Sequence, residues 1–193
     1  MCMRNALMIG LIAVLTVSIL WSSEAADQNE RTHGYGLGRP ATGQELQEWN
    51  IDVTPTGEGL PPGRGTAKQG AAIFAAHCAS CHGPTGREGP MDRLVGGAGT
   101  LGGQKPVKTI GSYWPYATTL YDYVRRAMPF SAPQSLSPEE VYSVVAWLLH
   151  QNGILAEDSI LDAPSLAAIR MPNRNGFVPD PRPDVQRTET NPF

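Results

Sequence analysis

Charge is sparse in this chain of 193 residues and its two signs nearly cancel, since 15 Lys and Arg against 18 Asp and Glu leave a formal net charge of -3. A protein that neutralises a phosphate backbone needs a surplus of cations, so nucleic acid is excluded as a partner. Histidine is scarce, with four residues, and cysteine is scarcer, with three. Outside the single cysteine cluster stand His33, His77 and His150, which do not pair at zinc-ligand spacing, so a zinc site lacks its second half. The glycine-rich stretch from Gly96 to Gly103 has no closing Gly-Lys-Ser/Thr and is not a phosphate loop. His33-Gly34-Tyr35-Gly36-Leu37-Gly38 lacks the preceding apolar strand that a dinucleotide fingerprint requires. Glycine and proline are plentiful instead, which suits one compact domain with irregular extensions.

Residues 1–25 read as a secretory signal, with Arg4 in the n-region, an apolar run from Ala6 to Trp21, and Ser23-Glu24-Ala25 as a small-x-small cleavage site. An uncleaved anchor is the competing reading, because the run approaches the lower limit of roughly 17 residues for a span. Cys2 precedes the apolar run and leaves with the signal, so the exported chain keeps only Cys78 and Cys81. With the signal removed, a soluble periplasmic protein without a membrane segment is expected. A disulfide between residues so close would staple little.

The two cysteines belong to Cys78-Ala79-Ser80-Cys81-His82. This spacing is the attachment signature of a c-type haem: both thiols add to the vinyl groups, and the next residue presents its imidazole to the iron. One helical turn puts Cys78 and Cys81 on the same side and carries His82 under the porphyrin plane. A thioredoxin-like pair would need a strand before the motif, whereas the residues leading into it are helical in character. A second such motif is absent, so one covalent haem c is expected.

Residues 26–65 form an arm poor in periodicity. Within it Thr42 and Glu45 make a capping box for a short helix ending near Trp49, and Trp49, Ile51 and Val53 are expected to anchor the arm on the domain. The domain itself is assigned to residues 66–153. Thr66 caps a first helix over Ala67 to Ala79 that delivers the motif. A turn at Gly89-Pro90 then brings the chain back, and a backbone carbonyl there is the expected acceptor for the second ring nitrogen of His82. The glycine-rich loop between Met91 and Tyr116 is expected to pack closely against a flat cofactor. Trp114 and Tyr116 are candidates for directing an N–H and an O–H at the haem propionates, with core aromatics as the rival reading.

Thr118 to Ala127 reads as a helix with Leu120, Tyr121 and Val124 on one face, stopped at Met128-Pro129. A methionine on a proline-bounded turn can offer its thioether as the sixth iron ligand, and Met128 is that candidate beside His82. Met91 lies too near the motif to reach the opposite face, and Met171 sits in the tail; His33 or His150 would give a bis-His haem. An open sixth position, suited to a peroxidase or gas sensor, is the rival class. Ser137-Pro138-Glu139-Glu140 opens a closing helix that ends at Asn152-Gly153 and should cross the first so that Gly70 and Phe74 meet Tyr142, Val145 or Trp147. Residues 154–193 form an extension of weak periodicity that cannot build its own core: it lies on the domain or on a partner, with Phe177 and Phe193 as anchors, or stays mobile.

The haem motif, the Met128-Pro129 turn and a helix at each end resemble the class I cytochromes c, which implies an all-α fold. More narrowly, Leu37-Gly38-Arg39-Pro40-Ala41-Thr42, Trp49-Asn50-Ile51-Asp52-Val53, Gly59-Leu60-Pro61-Pro62-Gly63, Ser112-Tyr113-Trp114-Pro115-Tyr116-Ala117-Thr118-Thr119 and Pro172-Asn173-Arg174-Asn175-Gly176-Phe177 resemble the cytochrome subunits of Sox-type sulfane dehydrogenases and their sulfite dehydrogenase relatives. Some Sox cytochromes carry two haems, and this chain departs from them in having one motif. The resemblance implies a periplasmic electron-transfer subunit that serves a molybdenum-cofactor dehydrogenase, hands electrons to a downstream cytochrome c, and does no substrate chemistry of its own. A free-standing shuttle to a terminal oxidase is the alternative.

Overall fold

The computed structural model describes residues 38–180 and 182. The expected signal at 1–25, the glycines before Gly38, His33 and Phe193 lie outside the described residues. The chain divides into two units, residues 1–48 and Trp49–Phe193. In the first, Thr42 caps the short helix α1 (Gly43–Trp49) as expected: its amide donates to Glu45 Oε2 at 2.8 Å, and the Glu45 amide donates to Thr42 Oγ1 at 3.3 Å. Arg39 Nη1 donates to the same carboxylate at 2.8 Å.

The second unit is built around one helix crossing. Helix α2 (Ala67–His77) starts at a Thr66/Gln69 capping box and packs on the closing helix, which starts at a Ser137/Glu140 box with Pro138 in its first turn. Four-residue helix α3 (Ala79–His82) follows α2 directly, then α4 (Ala117–Ala127) and the closing helix α5 (Pro138–Gln151). Gly70 makes the crossing close, since a methyl group built there would stand 2.5 Å from the Ser143 carbonyl carbon and 2.8 Å from Trp147 Cβ. One turn further on, Phe74 stacks on Trp147 with centroids 4.0 Å apart. The expected meeting of Gly70 and Phe74 with α5 therefore holds at Trp147, and Ser143 is the other contact.

Every residue of α5 from Val141 to Leu149 is buried, more than a single stripe allows. The second coat comes from outside the three main helices. Strand β1 (Arg64–Gly65) pairs antiparallel with β2 (Leu161–Asp162), Arg64 opposite Asp162, so the segments before and after the helical core are joined across α5. The extension is thus more ordered than its weak periodicity suggests. Asp162 and Ser165 form a capping box for α6 (Ala163–Ala168), and Leu166 and Met171 are buried in the core. Beyond them Asn173 Nδ2 donates to Tyr113 O at 2.8 Å, Phe177 meets the Tyr113 ring edge-on at 5.2 Å, and the Arg174 guanidinium lies 4.0 Å over the Tyr116 ring. As far as Phe177, the tail therefore lies on its own domain, the first of its expected readings, with Phe177 as one contact.

The arm from Ile51 to Pro61 closes local turns, such as Thr54 N to Glu58 O at 2.9 Å, and has several other backbone groups satisfied by distant side chains. Val53 N donates to Asp122 Oδ1 at 2.9 Å, Arg125 Nη1 donates to Ile51 O at 3.2 Å, Thr118 Oγ1 donates to Pro55 O at 2.9 Å and Tyr142 Oη donates to Pro61 O at 2.9 Å. Val53 is the buried anchor and Ile51 a half-buried one, but Trp49 is 84% exposed and anchors nothing in this unit, contrary to expectation. Asp122 carries the heaviest share, since Arg126 also pairs with it. Asp122→Ala leaves the buried Val53 amide without an acceptor and is expected to cost about 1–3 kcal/mol. Urea unfolding followed by far-UV circular dichroism checks this, and a loss near zero would show that the arm contributes little.

Candidate haem-binding site

The motif sits where α2 ends. The Cys78 amide still donates to Phe74 O at 2.9 Å, but Cys78 leaves helical geometry at φ -122°, so the helix expected to reach Ala79 stops at His77. Cys81 N and His82 N then donate to Cys78 O at 3.1 and 3.0 Å, which winds the whole motif into one turn over that carbonyl. Gly83, at φ +78°, ends the turn in a conformation that favours glycine. Gly89 lets the returning chain lie against the motif, because a methyl group there would stand 2.5 Å from the His82 carbonyl carbon.

That return orients the histidine. Met91 N donates to Cys81 O at 3.0 Å, and His82 Nδ1 donates to Asp92 O at 2.8 Å, which leaves Nε2 with its lone pair for a metal. The acceptor is the Asp92 carbonyl and not one in the Gly89-Pro90 turn. A carbonyl is common to every residue, so no side chain marks this position in the sequence; only the closed loop selects it.

Cys78 is half-buried against the core and Cys81 is exposed, and the two form no disulfide. Burial, with a smaller contribution from Cys81, pushes the Cys78 thiol up to about 11. A thioredoxin-like or thiolate-metal pair needs the opposite shift. Among the described residues no three His, Cys, Asp or Glu side chains cluster as metal ligands. The donor set therefore fits a covalently held haem: two thiols within one turn and an oriented imidazole, while Leu94, Trp114, Met128 and Leu136 are packed on the core yet partly open.

Met128 caps the C-terminus of α4, its amide donating to Val124 O at 3.1 Å, and the peptide to Pro129 is cis. Of the other sulfur and imidazole side chains, Met91 is exposed with its backbone tied to Cys81, Met171 is buried in the core, His77 is exposed in the last turn of α2, and His150 Nδ1 donates to Leu155 O at 3.1 Å, as His82 Nδ1 does to Asp92 O. Trp114 and Tyr116 fall in one half-buried segment leading into α4; Trp114 packs edge-on against Tyr123 at 5.8 Å and Tyr116 lies under Arg174. The glycine-rich loop packs closely on its own chain where it packs at all. Gly97 presses on Val107 and Gly111 on Asn152, whereas Gly96, Gly99 and Gly102 meet no protein atom within 4 Å.

A mostly helical domain whose first helix delivers Cys-x-x-Cys-His, closed by a C-terminal helix crossing it at a glycine, is a class I cytochrome c domain, and it holds haem c. Residues 65–148 match the family described as cytochrome c oxidase, cbb3-type, subunit III. Among solved structures, the sulfane dehydrogenase SoxCD from Paracoccus pantotrophus matches with a TM-score of 0.72 and 45% identity over 77% of this chain and 74% of that one. The chain belongs to the c-type cytochromes related to that sulfane dehydrogenase. Curated protein sequences give no significant match.

Proposed function

We propose that this protein is a periplasmic monohaem electron-transfer subunit that accepts electrons from a molybdenum-cofactor dehydrogenase oxidising sulfite or sulfane sulfur, and hands them to another cytochrome c. The observation that carries the reading is the 45% identity to the SoxCD chain across 77% of this one. Haem c supplies a one-electron iron couple. Cys78 and Cys81 would hold it through thioether bonds, and His82 and Met128 would supply the imidazole and thioether ligands to its iron. The Asp92 carbonyl keeps His82 in one tautomer and raises its basicity. As an iron ligand the Met128 thioether would raise the reduction potential and exclude substrate from the iron, which favours electron relay over chemistry there. Trp114 and Tyr116 are proposed to donate to the propionates, and Arg174 adds positive charge beside Tyr116.

The tail as far as Phe177 lies on its own domain through Met171, Asn173 and Phe177, and the arm presents the open indole of Trp49 as a surface for docking the molybdenum subunit. Among the described residues no helix is long and apolar enough to cross a membrane. Affinity purification of the tagged protein from its native cells, with molybdenum analysis of the eluate, tests the partnership. A molybdoprotein is expected to co-elute, and sulfite or thiosulfate is expected to bleach the oxidised haem spectrum only in its presence. A cytochrome that elutes alone and is reduced by no sulfur compound in the native extract would favour the free-standing shuttle.

A further inference from the structure

Asn152 attracts notice in the sequence only as a helix end, but its side chain does more than cap α5. Nδ2 donates to Leu148 O at 2.8 Å, the local bond a C-terminal cap provides, and it also donates to Leu94 O at 3.2 Å. Oδ1 accepts from Gly96 N at 3.0 Å. One amide group thus grips both sides of Val95, which is fully buried, and the site is closed from behind by Gly111, where a methyl group would stand 2.7 Å from Asn152 Cγ. A cap needs none of these long-range bonds.

The gripped segment begins two residues after Asp92, whose carbonyl receives His82 Nδ1. Asp92 is a link in a short strap with both ends tied: Met91 N to Cys81 O at 3.0 Å on one side, Leu94 N to Gly86 O at 2.8 Å on the other. Both of those ties return to the motif loop itself. Asn152 is the tie that fixes the strap to the rigid closing helix, so that the position of the Asp92 carbonyl is set by α5 and not by the loop alone.

We propose that Asn152 is a positioning residue for the iron-binding histidine: by fixing the Leu94–Gly96 segment to α5 it holds the Asp92 carbonyl on His82 Nδ1 and thereby sets the electron donation of that imidazole. The proposal rests on His82 being an axial ligand. A weaker Nδ1–H bond makes the imidazole a poorer donor, which stabilises the oxidised iron less and raises the reduction potential.

The test uses the full-length haem-loaded protein and two variants, Asn152→Ala and Asn152→Asp. The aspartate keeps an acceptor for Gly96 N and removes the donor to Leu94 O. Asp162→Ala, which uncaps α6 and touches neither strap nor motif, supplies a comparably destabilised reference. Redox titration is expected to show the reduced-to-oxidised ratio at a fixed ambient potential rising about threefold or more in both Asn152 variants and unchanged in the reference. The His82 ring proton resonances of the oxidised protein are expected to move with it. If Asn152→Ala does not retain haem, Asn152→Asp alone decides. A lowered melting temperature with the wild-type potential and wild-type ring resonances would reduce Asn152 to a helix cap and overturn the proposal. Absence of hyperfine-shifted His82 ring protons in the wild type would instead remove the axial assignment on which it stands.

Discussion

Gly70→Ala is expected to destabilise the domain by about 3 kcal/mol or more, lowering the melting temperature by roughly 10 °C. The sign is what makes the experiment informative. Within a helix, alanine is better than glycine by about 1 kcal/mol, so a Gly70 that merely occupied α2 would gain stability from the change. At the crossing, however, the added methyl group meets the Ser143 carbonyl and Trp147 Cβ, backbone and side-chain root that cannot swing aside. The helices must separate, and Phe74 then loses its stack on Trp147. Because α2 carries Cys78 at its end, the same separation displaces the motif from the core, and the yield of haem-loaded protein is expected to fall with stability. Thermal unfolding of the purified variant, with the Soret absorbance per milligram, measures both; a melting temperature at or above wild type would mean that the crossing is looser than described.

The second large effect belongs to Met128. Met128→Ala is expected to abolish the charge-transfer band that thioether-bound ferric haem shows in the far-red, and to lower the potential by a sizeable part of the roughly 0.8 V that axial ligands span. Thermal stability is expected to change less than for Gly70→Ala, since Met128 is only half-buried and its backbone bond to Val124 survives. An unchanged spectrum would take Met128 out of the iron's coordination and return the open sixth position, with its peroxidase or sensor chemistry, to consideration.

The parts of this protein that the amino-acid sequence discloses are those whose cause is local. Thr42, Thr66 and Ser137 begin helices because a capping side chain and its partner stand three residues apart, and Met128-Pro129 ends one because proline has no amide to give. Gly70 and Phe74 were legible as a crossing face for the same reason. Trp49 was not legible as an exposed residue, since aromatic character promises burial without naming a surface to cover it. The β1–β2 pair and the Asp92 acceptor depend on segments far apart in the chain, and neither has a residue type that announces it. Asp162 with Pro164 and Ser165 does carry a local helix-start signal, which the weak apolar pattern around it obscured.

The order in which the chain is made gives the β1–β2 pairing a further meaning. Cys78 to His82 precedes Pro138–Gln151 in the chain, and α2 has no helix to pack on until that segment is in place. The last covering strand, Leu161–Asp162, comes later still. A chain threaded N-terminus first into the compartment where it folds would present both thiols before the core that half-buries Cys78 can close. With Leu161 paired to Gly65 the domain is latched, and of the two thiols it is Cys78 that the closed core half-covers.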